Sequence, residues 1–177
     1  HRLRTLFQPA EENATGARQM VAAGAMDGTT AIIGLHVDPT ISVGSVGLRT
    51  GALTAACYMV DVEVTGVGGH SSRPDCDANA YASQFEHIVN NLMAKEKESA
   101  VLCFTGRRYD SGIAHNVVPP SVHIIGALRT FDEDAADHSR RTMLSVAGML
   151  EQVNEKLRIR VRVNNVLPPV INDPRVT

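Results

Sequence analysis

The chain has 177 residues, 44% hydrophobic and 20% charged, enough for one ordinary domain or two small ones and too apolar for wholesale disorder. Its 17 basic and 19 acidic residues leave a formal charge of -2, without the broad basic surface that tracks a phosphate backbone, so nucleic acid is not an expected partner. No apolar stretch approaches the roughly 18 residues of a membrane span, the start lacks a secretory pattern, and Cys57, Cys76 and Cys103 hold no CxxC pair, which points to a reducing, cytoplasmic setting without a disulfide framework or thiolate zinc site.

In chain order, residues 3–7 form a short apolar-leaning run that predicts a strand, stopped by Pro9. Small residues with Met20 and Val21 predict a helix over 14–25, with Gly24 and Gly28 as stop signals. Residues 31–37, AIIGLHV, are almost wholly apolar and predict a strand buried on both faces. Residues 1–49 thus read as a βαβ-like piece of a layered α/β domain.

The middle has a different period. Tyr58, Val60, Val62 and Val64 alternate with Met59, Asp61, Glu63 and Thr65, predicting a half-buried strand. Tyr81, Phe85, Ile88, Val89 and Leu92 recur at helical spacing and form one apolar stripe. Residues 100–105 predict a further strand, and Val122, Ile124, Gly126 and Leu128 alternate again. A second helix is expected to carry Met143, Val146, Ala147, Leu150 and Leu157 on one side, followed by a strand alternating Ile159, Val161 and Val163 with a solvated row of Arg158, Arg160 and Arg162. The order β-α-β-β-α-β over about 53–166 is the split βαβ, or ferredoxin-like, arrangement. The flanks then belong to one other domain that this insertion interrupts, and the opening HRLRTLF and closing INDPRVT read as cuts through a larger protein.

Several residues could carry chemistry. Glu11 and Glu12 in FQPAEENATG can converge on one site only where an extended strand has ended, and Pro9 with the following helix supplies that break. Alone, the pair better fits a favourable interaction with a helix dipole, about 0.3–1 kcal/mol each. His36 closes GLHV, and parallel topology would put it on the same sheet edge as the glutamates, where a carboxylate and an imidazole suit zinc or manganese; a hydrogen-bonded core histidine is the plain alternative. GVGGHSSRPD, residues 66–75, exposes His70 on a glycine turn, able to donate to a developing oxyanion, or is an ordinary polar turn. Asn116 in SGIAHNVVPP can start a turn or bind a substrate carbonyl or carboxylate, and Arg129 in ALRTF defaults to a surface charge.

Taken together and in order, FQPAEE, GLHV, GVGGHSSRP, HNVVP and LRTF resemble the aminoacylase and carboxypeptidase family of dinuclear metallohydrolases, above all the hippurate hydrolases and plant auxin-conjugate amidohydrolases, which cleave N-acyl amino acids. The resemblance implies an α/β chain: part of a layered metallohydrolase domain at 1–49 and 167–177, interrupted at 50–166 by a ferredoxin-like lid through which members form homodimers. It implies Glu11 as general base and acid, Glu12 and His36 as metal ligands, His70 as the lid histidine that reaches the partner subunit's site, and Asn116 and Arg129 as substrate-binding residues. Two divalent ions, zinc or manganese, and a small N-acyl amino acid substrate, hippurate-like or related, follow from the same likeness. The family's upstream ligands in a Cys-x-His-Asp type segment, and a further histidine near its C-terminus, have no counterpart here. The expectation is therefore an internal fragment of a metal-dependent amidohydrolase, itself inactive, with a non-catalytic ferredoxin-like dimerisation or binding module as the alternative.

Overall fold

The structure, a computed structural model, describes residues 2–12, 14–96, 100–109 and 114–177. In chain order its elements are α1 (Gly16–Ala22), β1 (Gly51–Thr54), β2 (Ala56–Thr65), β3 (Gly69–His70), α2 (Ala78–Met93) with a short 3-10 turn (Ala94–Glu96), and β4 (Ala100–Tyr109). β5 (Val117–Val118), β6 (Ser121–Thr130), α3 (Glu133–Val153), β7 (Arg158–Leu167) and β8 (Val170–Asn172) complete the mixed α/β chain. Among the described residues, no helix is long and apolar enough to cross a membrane. The chain divides into two compact units, His1–Leu53 with Ile171–Thr177, and Thr54–Val170.

In the first unit α1 ends where Gly24 takes a left-handed φ of 83°. Its N–H donates to the Val21 carbonyl at 3.0 Å and that of Ala25 to the Met20 carbonyl at 2.9 Å, the paired bonds that close a helix once a residue without Cβ turns the chain. The helix is shorter than the predicted 14–25, because Ala14 sits at φ 54°, outside helical space. Neither residues 3–7 nor 31–37 form strands, so the βαβ-like piece expected over 1–49 is not formed in this chain. Ile33, Leu35 and Val37, expected inside, are 77%, 91% and 88% exposed. A strand covered on both faces needs paired neighbours and flanking helices. The described residues of this unit supply only the seven-residue α1 and the two-stranded β1–β8 sheet.

The second unit has a four-stranded antiparallel sheet in the order β4-β6-β2-β7. Register explains the core: Val60, Val62 and Val64 of β2 lie opposite Gly126, Ile124 and Val122 of β6, so one face of the pleat is continuously apolar. α2 and α3 cover that face with Ala82, Phe85 and Val89, and with Met143, Val146, Ala147 and Leu150, all buried in one cluster. Asp77 and Asp132 start these helices by accepting backbone N–H groups with their side chains. Leu157 joins the same core but not as part of α3, which ends at Val153. Asn154 is extended, its side chain accepts the Lys156 N–H at 3.0 Å, and the turn delivers Leu157 just ahead of β7.

The opposite face of the sheet is uncovered by the helices and carries a charge network that the sequence pattern hid. Arg162 pairs with both Asp61 (3.2 Å) and Glu63 (3.3 Å), Arg160 lies 3.7 Å from Glu63, and His123 lies 3.2 Å from Asp61. Arg160 and Arg162 are therefore paired across β2 and β7 rather than simply solvated, because the antiparallel register sets Arg162 opposite Asp61 and Arg160 opposite Glu63.

Candidate functional site

In the first unit Glu11 and Glu12 occupy an exposed turn between Pro9 and α1. The turn is tight: Ala14 donates its N–H to the Glu11 carbonyl at 2.8 Å, and both Ala10 (φ 51°) and Ala14 (φ 54°) adopt the left-handed region disfavoured for residues with a Cβ. Gly16 makes this fold-back possible, since a Cβ there would lie 1.6 Å from the Pro9 carbonyl oxygen. Upstream, the Arg4 guanidinium donates to the Ala25 carbonyl at 2.8 Å and ties the approach segment to the end of the helix region. Among the described residues neither glutamate side chain has a hydrogen-bond or ion-pair partner.

His36 is exposed on an irregular segment, two residues before Asp38. Thr40 donates to the Asp38 carboxylate from its hydroxyl at 2.6 Å and its backbone N–H at 2.8 Å. Those bonds hold the Asp38 carboxyl below its usual range, and nearby His36 adds a smaller electrostatic pull in the same direction. With no strand over 31–37, the parallel-edge geometry expected to bring His36 to the glutamates is absent. The donor chemistry of Glu12 and His36, a carboxylate and an imidazole, suits zinc or manganese. Among the described residues no group of three His, Cys, Asp or Glu is assembled to hold a metal.

In the second unit the structure brings His70 and Asn116 together. β3 pairs with β5 so that His70 is opposite Val117, and Ser71 donates its N–H to the Asn116 carbonyl at 3.0 Å. The 66–76 loop carrying His70 is pinned at both legs. Gly66 donates to the Pro120 carbonyl at 2.9 Å and Val67 to the Cys76 carbonyl at 2.8 Å. At its base Lys156 bonds the Asp75 carboxylate at 2.5 Å, which raises the lysine's pKa, and burial raises that of the Cys76 thiol. The imidazole itself is exposed and contacts Ser72, whose Oγ is 2.9 Å and backbone N 3.2 Å from Nδ1. The two-stranded β3–β5 pairing and the role of Ser72 were invisible in the sequence pattern, although the glycines of GVGGHSS signalled the turn. Residues 111–113 of SGIAHNVVPP, and Asn13 of FQPAEENATG, lie outside the described residues.

Arg129 is not with them. It is exposed near the end of β6, opposite Cys57 and Val101, whereas β6 begins beside the His70 loop. The eight steps from Ser121 to Arg129 span about 26 Å at about 3.3 Å each. A separate cluster fastens edge strand β4 to α2: Arg107 makes a two-pronged contact with Glu86 (3.1 and 2.6 Å) and reaches Asn79 and Ser83 at 3.0 Å. The Glu86 bonds hold the Arg107 pKa above its ordinary value, and the cluster is structural.

The sequence profile of Peptidase family M20/M25/M40 matches residues 1–177. The chain is 36% identical over 183 aligned residues to N-acetyl-L-cysteine deacetylase of Bacillus subtilis, covering 99% of this chain and 43% of that protein. It is 39% identical over 138 residues to N-acyl-L-amino acid amidohydrolase of Geobacillus stearothermophilus, covering 74% of this chain and 36% of the relative. Among solved structures it resembles a Bacillus subtilis dinuclear metal-binding peptidase of the M20 family, with a TM-score of 0.69 and 30% identity over 95% of this chain and 42% of that one. The chain thus spans less than half the length of these relatives.

Proposed function

We propose a function from one premise: this chain belongs to peptidase family M20/M25/M40. On that basis the chain contributes to a metal-dependent amidohydrolase that cleaves the amide bond of small N-acyl amino acids, hippurate-like or related. Residues 1–49 and 167–177 belong to its catalytic domain and 50–166 form a ferredoxin-like lid. The βαββαβ order and the strand order β4-β6-β2-β7 support the lid assignment. Relatives named as an N-acetyl-L-cysteine deacetylase and an N-acyl-L-amino acid amidohydrolase support the substrate class.

Glu12 and His36 would hold the metal, zinc or manganese, together with donors beyond this chain. When bound, the divalent ions supply Lewis-acid polarisation of the scissile carbonyl and lower the pKa of the attacking water. Glu11, its carboxylate uncommitted in the exposed turn, takes the water proton and returns it to the leaving nitrogen, which must be protonated before the C–N bond breaks. His70 donates a hydrogen bond to the carbonyl oxygen as negative charge develops there. The Asn116 amide and the Arg129 guanidinium orient the substrate, the latter through a carboxylate that fits its planar fork.

The observation that carries the lid reading is the exposed imidazole on a hairpin pinned to Asn116, with Arg129 near the other end of β6, about 26 Å of extended strand from Ser121. That separation exceeds the length of an N-acyl amino acid. The two ends of one lid sheet therefore serve two sites, which a two-fold homodimer provides. Metal titration, N-acyl amino acid hydrolysis and light scattering on the full-length gene product test the proposal. A metal-free, inert, fully assembled protein refutes the activity, and a strictly monomeric active one refutes the shared lid.

A further inference from the structure

We propose that Ser72 is a positioning residue that fixes the His70 imidazole as its Nε2–H tautomer; this deepens, and for its catalytic meaning rests on, the reading of His70 as an oxyanion donor. A neutral imidazole carries one proton, and which nitrogen holds it is decided by what the other one meets. Nδ1 of His70 meets the backbone N–H of Ser72 at 3.2 Å. A backbone N–H only donates, so Nδ1 must present its lone pair. The Ser72 hydroxyl, 2.9 Å from the same nitrogen, is then a second donor to it. The single ring proton is left on Nε2, where no partner occurs among the described residues. The opposite tautomer would set the ring N–H against the Ser72 backbone N–H and forfeit that contact, whereas the hydroxyl can turn to accept from it.

The backbone around Ser72 keeps this arrangement in place. Ser71 donates to the Asn116 carbonyl and Arg73 to the His70 carbonyl, each at 3.0 Å, so the residues on either side of Ser72 are tied to β5 and to His70 itself. The loop therefore leaves the single N–H of the neutral ring on Nε2, away from Ser72, before any substrate arrives. A donor organised in advance needs no reorganisation when charge appears on the carbonyl oxygen, and such preorganisation is where oxyanion stabilisation gets its strength.

The test is long-range 15N–1H correlation NMR on the 177-residue chain labelled at histidine, with Ser72→Ala, Ser72→Thr and Ser72→Pro beside it. The wild-type His70 should be protonated at Nε2 with a hydrogen-bonded Nδ1. Ser72→Thr and Ser72→Ala, which keep the backbone N–H, should match it, and Ser72→Pro, which removes that donor, should raise the Nδ1–H fraction about fivefold, the factor of one typical hydrogen bond. A wild-type ring protonated at Nδ1 or averaging between tautomers, or a Ser72→Pro spectrum unchanged at Nδ1, overturns the proposal. Hydrolysis by the full-length product separates the two layers. If Ser72 governs the tautomer but His70→Ala leaves turnover intact, the tautomer assignment stands and the oxyanion role falls. If His70→Ala abolishes turnover, Ser72→Pro should lower kcat with KM unchanged and Ser72→Ala should retain it.

Discussion

Replacing Gly66 by alanine puts a methyl carbon 2.3 Å from the Cys76 carbonyl oxygen and 3.1 Å from the Ala78 backbone nitrogen. Neither atom can turn aside as the tip of a side chain could. The Cys76 oxygen accepts the Val67 N–H at 2.8 Å, and Asp77 next to it starts α2 through bonds to Asn79 and Ala80. Moving residue 76 away gives up the Val67 bond, about 1 kcal/mol, and overpacking against backbone costs about 1–3 kcal/mol more. The expected loss is thus about 2–4 kcal/mol. Urea unfolding followed by far-UV circular dichroism reads it as a lower midpoint with an unchanged slope. Gly106→Ala, with nothing within 4 Å of the new carbon, is the control and should show no loss relative to wild type. A Gly66→Ala loss below about 0.5 kcal/mol would show that the two legs of the His70 loop can part freely, and would refute the claim that their crossing fixes the loop.

Gly148 lies within α3 with open space where its Cβ would be, so Gly148→Ala should stabilise the chain by about 0.5–1 kcal/mol, read as a raised urea midpoint. The Lys156–Asp75 contact raises the lysine's pKa on folding, so its contribution is complete below the ordinary 10.5 and lost as pH climbs through the higher folded-state value. Comparing wild type with Lys156→Met in thermal melts should therefore show a small gap at neutral pH that closes in strong alkali; a gap that widens there contradicts the pairing. In the full-length product Glu11→Gln should lower kcat about 10²–10⁴-fold with bound metal unchanged by elemental analysis, and loss of metal in that variant would instead make Glu11 a ligand.

The second unit was legible because its sheet is covered on one face only. Alternation at 58–65 and 122–128 marks that asymmetry directly, and the stripe from Tyr81 to Leu92 marks the helix that covers it, with Phe85 and Val89 innermost. The first unit was misread for the converse reason. An unbroken apolar run such as AIIGLHV carries no period, and whether it becomes a buried strand depends on neighbours that its own residues cannot specify. Leu157 was credited to α3 because the helical stripe does not announce its end; the extended backbone of Asn154 does. At the candidate site, the glycines around His70 betrayed a turn, but its attachment through Ser71 to Asn116 links positions 45 residues apart and is a tertiary fact.

The sheet order also sets a schedule for folding. β2, rich in valine, finds its hydrogen-bonding neighbours in β6 and β7, and the contact between Arg162 and Asp61 closes a separation of 101 residues. During synthesis Val60, Val62 and Val64 emerge long before either neighbour exists, while α2 can form at once from local contacts. Closing such long loops is slow, and an apolar strand waiting with both edges open is exposed to mispairing. The cross-strand glutamate and aspartate pairs with arginine then do more than hold β7 against β2. They favour the one register in which opposite charges meet, so the last strand to arrive is also the one whose alignment is checked.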